Sequence, residues 1–153
     1  MKFLNITLLN SLTIFLLTVA LFAFSAPSFT QDYKVKKVGK AFSHPWGISV
    51  FDNDEVLITE RGGHLFKVNI ENGSRIKISN LPKVFNVRQG GLLDVLIDKE
   101  SVSERNVYIC YSSKAAGGSS TTLMAGTLKE DKFISKKILF KSNNVSELSL
   151  IHI

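Results

Sequence analysis

The sequence contains a single cysteine, Cys110. No intrachain disulfide is possible, which excludes the stapled scaffolds common among small secreted domains. Cys110 sits in the alternating run Val107-Tyr108-Ile109-Cys110-Tyr111, where a buried, inert thiol is expected. No His/Cys/Asp cluster has zinc-ligand spacing. Gly117-Gly118-Ser119-Ser120-Thr121-Thr122 has no lysine at the spacing of a P-loop and no helical pattern after it, so it reads as a flexible loop. A continuous basic stripe is missing too. The formal charge is +6, but Lys34, Lys36, Lys37, Lys67, Lys77, Lys136 and Lys137 are scattered and mostly alternate with apolar residues. That spacing places them on the wet face of strands and argues against a nucleic-acid partner.

What is present begins at the N-terminus. Lys2 supplies a short charged region, followed by the apolar run Leu12-Thr13-Ile14-Phe15-Leu16-Leu17-Thr18-Val19-Ala20-Leu21-Phe22 and the small residues of Ala23-Phe24-Ser25. This is the pattern of a secretory signal peptide helix over residues 1–25, cleaved after Ser25. The alternative is an uncleaved membrane anchor, since the run approaches the roughly 20 residues that span a bilayer. In either case the remainder, residues 26–153, is expected outside the cytosol, periplasmic or secreted. Once the signal is cleaved, no stable membrane span is expected.

After the signal no segment has helical periodicity. Short runs rich in β-branched and aromatic residues are separated by turn residues, the pattern of an all-β chain. Strands are expected at Trp46 to Phe51, Glu55 to Glu60, His64 to Ile70 and Arg75 to Ser79, with Asp52-Asn53-Asp54, Arg61-Gly62-Gly63 and Glu71-Asn72-Gly73-Ser74 as turns. The programme then repeats through Gly90 to Ile97, Asn106 to Ser112, Thr121 to Leu128 and Phe133 to Phe140. The two quartets start about 45 residues apart, which suits four-stranded propeller blades; a β-sandwich is the structural alternative. The first strand of each quartet is the most continuously apolar, as a strand nearest the axis and buried on both faces would be. Two blades leave faces and edges open, so the chain is expected to be the N-terminal part of a longer propeller, inactive when isolated.

In a propeller the loop entering each inner strand lies at one mouth of the central channel. His44-Pro45-Trp46-Gly47 enters the first inner strand, Arg88-Gln89-Gly90-Gly91 the second, and Ile151-His152-Ile153 stands where a third would begin. His44, Gln89 and His152 are thus expected to converge, the usual setting of a ligand site. Each residue also has a plainer reading. His44 could bond the backbone of its own turn, and Gly90-Gly91 could serve a bulge as readily as the approach of a ligand. Glu60-Arg61 reads as a surface ion pair.

Five blocks in order carry a specific resemblance. They are His44-Pro45-Trp46-Gly47, Val56-Leu57-Ile58-Thr59-Glu60-Arg61-Gly62-Gly63, Leu81-Pro82-Lys83-Val84, Gln89-Gly90-Gly91-Leu92-Leu93-Asp94-Val95 and Asn106-Val107-Tyr108-Ile109-Cys110-Tyr111-Ser112. Together they resemble the opening of the PQQ-dependent soluble sugar dehydrogenases, the glucose/sorbosone dehydrogenase family, over roughly His44 to Phe140. The resemblance implies a six-bladed β-propeller, of which these residues form about two four-stranded blades. It implies pyrroloquinoline quinone (PQQ) and Ca²⁺ as cofactors, an aldose sugar as substrate and an external electron acceptor. By resemblance Gln89 faces the quinone and the sugar hydroxyl. His152 matches the general-base histidine, although Ile151 and Ile153 replace the family's usual neighbours. The quinone-gripping arginines and lysine and the calcium ligands are expected beyond Ile153, so no metal ligand is assigned here. A non-enzymatic binding propeller and a calcium-dependent lactonase-type hydrolase are the alternative functions.

Overall fold

A computed structural model of the chain describes residues 32–98 and 105–145. The signal helix expected over residues 1–25 lies outside the described residues. Contacts divide the chain into two compact units, Met1–Lys36 and Lys37–Ile153, and every strand among the described residues belongs to the second.

Among the described residues eight strands follow one another: β1 (Pro45–Val50), β2 (Glu55–Glu60), β3 (His64–Asn69), β4 (Arg75–Lys77), β5 (Leu92–Ile97), β6 (Asn106–Ala115), β7 (Gly118–Lys129) and β8 (Lys132–Lys141). They form two four-stranded antiparallel meanders, β1-β2-β3-β4 and β5-β6-β7-β8. This is the all-β, two-quartet architecture expected of adjacent blades. Turn chemistry sets the hairpins. Asn69 Oδ1 accepts the N–H groups of Glu71 and Asn72, both at 3.0 Å, and the Gly73 N–H reaches the Asn69 carbonyl at 2.9 Å.

The sheets pack face to face, with β5 lying against β1 and β2. Leu57, Leu65 and Ile78 of the first quartet join Leu92, Val95, Ile97, Val107, Ile109, Tyr111, Met124 and Phe133 of the second in one core. At the junction the Thr59 hydroxyl, fully buried, accepts the Gly47 N–H at 2.8 Å and donates to the Leu93 carbonyl at 2.5 Å. Gly47 permits this approach, because a Cβ there would meet Asp94 Oδ1 at 2.6 Å and the Asp94 Cα at 3.0 Å. Both inner strands are irregular here, with register shifts between Pro45 and Ile48 and between Leu92 and Val95.

Within this chain one face of each inner strand lies open, with Ile48 66% exposed on β1 and Leu96 62% exposed on β5. Three expectations need correction. The Gly117–Thr122 stretch is no flexible loop. From Gly118 it is part of β7, and the ladder continues through Ser113↔Ser120, Lys114↔Ser119 and Ala115↔Gly118. Hydroxyl pairing allows the burial: Ser113 Oγ lies 2.8 Å from Thr122 Oγ1, and Ser120 Oγ donates to the Ser142 carbonyl at 2.6 Å. Next, β4 stops at Lys77, because Ser79 turns to pair with β8. Its N–H donates to the Asp131 carbonyl at 2.8 Å, and its carbonyl accepts the Phe133 N–H at 3.0 Å. Finally, Cys110 is half-buried rather than buried. It lines an open apolar hollow of about 370 Å³ with Asp94, Leu96, Tyr108, Leu123 and Leu139. Partial burial, reinforced by the Asp94 carboxylate, raises its pKa and keeps the thiol protonated.

Candidate active-site rim

The antiparallel register decides which loops share an end. Pro45 pairs with Glu60, so the start of β1 lies beside the end of β2 and the Arg61–Gly63 turn. The Leu92 N–H donates to the Arg61 carbonyl at 3.0 Å, which brings the start of β5 to the same place. Leu92 pairs with Tyr111, so the β6–β7 hairpin extends past this end too. The loops entering the two inner strands therefore converge on one rim, as the repeat predicts.

Arg61 sits at the centre of that rim. Its N–H donates to the His44 carbonyl at 3.0 Å and its Nη1 to the Arg88 carbonyl at 2.6 Å. His44 and Gln89 are both exposed on these loops. The His44 ring bonds no backbone group of its turn; its Nδ1 lies 3.3 Å from Ser43 Oγ. Gln89 occupies a turn closed by the Gly90 N–H on the Val87 carbonyl at 2.9 Å. His152 lies outside the described residues.

The Gly90-Gly91 pair serves packing within the protein. A Cβ on Gly90 would meet the Phe85 carbonyl oxygen at 2.9 Å and Ser112 Oγ at 3.0 Å, and one on Gly91 would collide with Arg61. The loop is tied to the end of β6 by Phe85 N–H to Ser112 O at 2.8 Å, Ser112 N–H to Gly91 O at 2.8 Å and Gly91 N–H to Ser112 Oγ at 3.1 Å. The glycines thus serve close packing and not a bulge, since the register shift of β5 falls between Leu92 and Val95.

Glu60 and Arg61 do not form the surface ion pair suggested by their adjacency. Glu60 is only 7% exposed and accepts the Ser43 N–H at 2.7 Å through Oε1, while Oε2 lies 3.1 Å from His64 Nδ1. Burial alone would raise its pKa. The Ser43 N–H and the His64 contact outweigh burial and hold the carboxyl below the ordinary range. The sequence marks His64 only as the start of a strand, although its place four residues after Glu60 across a tight turn makes the pairing legible. The role of Arg61 left no such signal.

The rim thus presents Gln89 next to Arg88, whose backbone carbonyl the Arg61 guanidinium holds. Among the described residues neither arginine has a carboxylate partner. Such a rim suits a ligand rich in hydroxyl and carboxylate groups. No cluster of three or more His, Cys, Asp or Glu among the described residues could hold a metal ion. Nor, among them, is any helix long and apolar enough to cross a membrane.

Comparison with known proteins gives a consistent answer. Aldose sugar dehydrogenase YliI of Escherichia coli (strain K12) is 34% identical over 90 residues, which cover 58% of this chain and 24% of that protein. A crystal structure of a glucose dehydrogenase superposes with a TM-score of 0.68 at 28% identity, over 76% of this chain and 35% of the other. The PQQ-bound form of an aldose sugar dehydrogenase from Streptomyces coelicolor gives a TM-score of 0.59 over 71% of this chain and 33% of the other. At 18% identity that last likeness bears on the fold alone. The chain therefore spans about a quarter to a third of the length of these relatives. The Glucose / Sorbosone dehydrogenase family matches residues 42–150, and the chain belongs to that family.

Proposed function

We propose that this chain supplies the first two blades and part of the active-site rim of a PQQ-dependent aldose dehydrogenase. The observation that carries the reading is the convergence of both inner-strand entrances on one rim, with Gln89 exposed there. Residues 1–25 are read as a signal peptide and residues 26–153 as part of a six-bladed propeller domain, in a periplasmic or secreted enzyme.

The residues at hand fit an anionic quinone in part. Arg88, exposed on the loop entering β5, adds a cation without a carboxylate partner among the described residues, while the Arg61 guanidinium is engaged on the Arg88 carbonyl. PQQ, when bound, supplies a two-electron acceptor for the hydride leaving the sugar C1. The chain's own part is to orient the sugar and move a proton. The Gln89 carboxamide offers both a donor and an acceptor, so it can hold a sugar hydroxyl and a carbonyl oxygen together. His152, as a neutral imidazole, takes the proton of the C1 hydroxyl, and the sugar leaves as its lactone. Calcium belongs to this proposal only through ligands expected beyond Ile153, and an external electron acceptor completes the cycle.

The test is Gln89→Ala in a full-length enzyme carrying this sequence, assayed with PQQ, Ca²⁺, an aldose and a redox dye. Sugar oxidation should fall by roughly a hundredfold, the order expected when a preorganised polar contact to the reacting group is lost. Oxidation at the parental rate by a folded variant would refute the assignment.

A further inference from the structure

We infer that Arg61 is a positioning residue: it joins the two rim loops and fixes the turn that carries Gln89. The inference rests on the proposed site for the role of Gln89, but its geometry stands independently. Two of the Arg61 contacts are backbone bonds that any residue in this turn would make: its N–H to the His44 carbonyl and its carbonyl from the Leu92 N–H, both at 3.0 Å. The third depends on the side chain, with Nη1 donating to the Arg88 carbonyl at 2.6 Å. A guanidinium is a long, planar donor, well suited to crossing from one sheet to a carbonyl of the next.

The receiving turn needs such support. Arg88 has φ 54°, in the left-handed region that non-glycine residues occupy at a cost and keep only when their surroundings hold them there. From inside, the turn is closed by the Gly90 N–H on the Val87 carbonyl. From the first sheet, it is held by Arg61. The same side chain runs over Gly91, where a Cβ would meet Arg61 Cγ at 2.5 Å. Arg61 and Gly91 are therefore matched parts: the missing side chain on Gly91 leaves room first for the Arg61 backbone carbonyl, the atom nearest to where a Cβ would stand, and then for its Cγ. Gln89 lies between the bonded carbonyl and the covered glycine, so its backbone has little freedom to swing away from the rim.

Hydrogen exchange of the 153-residue chain, read by mass spectrometry, tests this directly. In Arg61→Ala the amides of residues 87–92 should exchange roughly fivefold faster, the effect expected for losing one charge-assisted bond that is partly open to water. Residues 107–110 of β6 should keep the parental rate, and Arg61→Lys, which retains a cationic donor, should fall between. Parental exchange at 87–92 in Arg61→Ala, or equal acceleration in both segments, overturns the clamp. That readout uses neither sugar nor quinone, so it is separate from the site reading. In a full-length enzyme, Arg61→Ala should lower kcat more than it raises KM, and adding it to Gln89→Ala should cost nothing further. Additive losses would overturn action through Gln89, whereas a fully active Gln89→Ala would refute the site reading alone.

Discussion

In the first sheet no strand exceeds six residues, and the buried polar side chains, Thr59 and Glu60, sit at one end, where Glu60 bonds Ser43 and His64 and Arg61 bonds the loop into β5. In the second sheet three strands reach 10 to 12 residues, and the buried polar groups are hydroxyls spread along the β6–β7 ladder. One topology is thus stabilised in two ways. A buried hydroxyl needs only one or two neutral partners, so it fits within a ladder. A buried carboxylate needs charge-assisted donors, and loop N–H groups at a strand end provide them. The charged groups Glu60, Arg61 and His64 therefore lie at the end of the short-stranded sheet, beside the loop that carries Gln89 into β5, whereas the long-stranded sheet carries more of the apolar core.

The sharpest way to break this contrast is Phe133→Ala. Phe133, on β8, is fully buried with its ring against Gly126 of β7. Its truncation should cost about 3–5 kcal/mol and unfold the chain at much lower urea concentration. A loss under about 1 kcal/mol would show that the second sheet is not the stabilising one.

Next in size is the junction. Thr59→Val removes the hydroxyl while keeping its volume, and strands the Gly47 N–H and the Leu93 carbonyl in a buried place. The expected cost is about 1–3 kcal/mol by urea unfolding. No change would mean that water replaces the hydroxyl and that the sheets do not depend on it.

Acid should affect the first sheet through Glu60. Its folded pKa is depressed, so its stabilising contribution is complete above the unfolded carboxylate value of about 4.3 and is lost as pH falls through the folded value. Glu60→Gln should cost about 1–2 kcal/mol at pH 7, and that difference should shrink below pH 4. A difference that stays constant between pH 7 and pH 3 would contradict the assigned ionisation.

The smallest expected effect on stability is at the open hollow. Leu96→Lys should change unfolding free energy by no more than about 0.5 kcal/mol while reducing self-association measured by light scattering, because an exposed apolar face favours association. Unchanged scattering would show that this face does not drive contact between copies.

Much of the fold was legible in the sequence because a strand's side chains alternate with period two and its turns need particular residues. All eight strands lie where alternation and turn residues put them, give or take their ends. The misreadings share one cause: they concern partners distant in sequence. Ser119, Ser120 and Thr122 look like loop residues by composition, and only a facing strand with matching hydroxyls makes them interior. Ser79 leaves its own sheet because β8 of the other quartet offers it a carbonyl and an N–H. Cys110 alternates correctly, yet the face it points to is the open one.

The sequence by itself determined the all-β class, the two quartets, the family resemblance and the loops that enter the inner strands, since each is written in local periodicity or in contiguous motifs. Tertiary structure alone decided that Arg61 joins those loops, that Glu60 is buried with His64 rather than paired with its neighbour, and that Gly90 and Gly91 give way to Ser112 and Arg61. The physical reason is that hydrogen bonding and close packing act over a few ångströms in space. Residues 27 apart in the chain, such as Arg61 and Arg88, share a bond only after the sheets have set the distance between them.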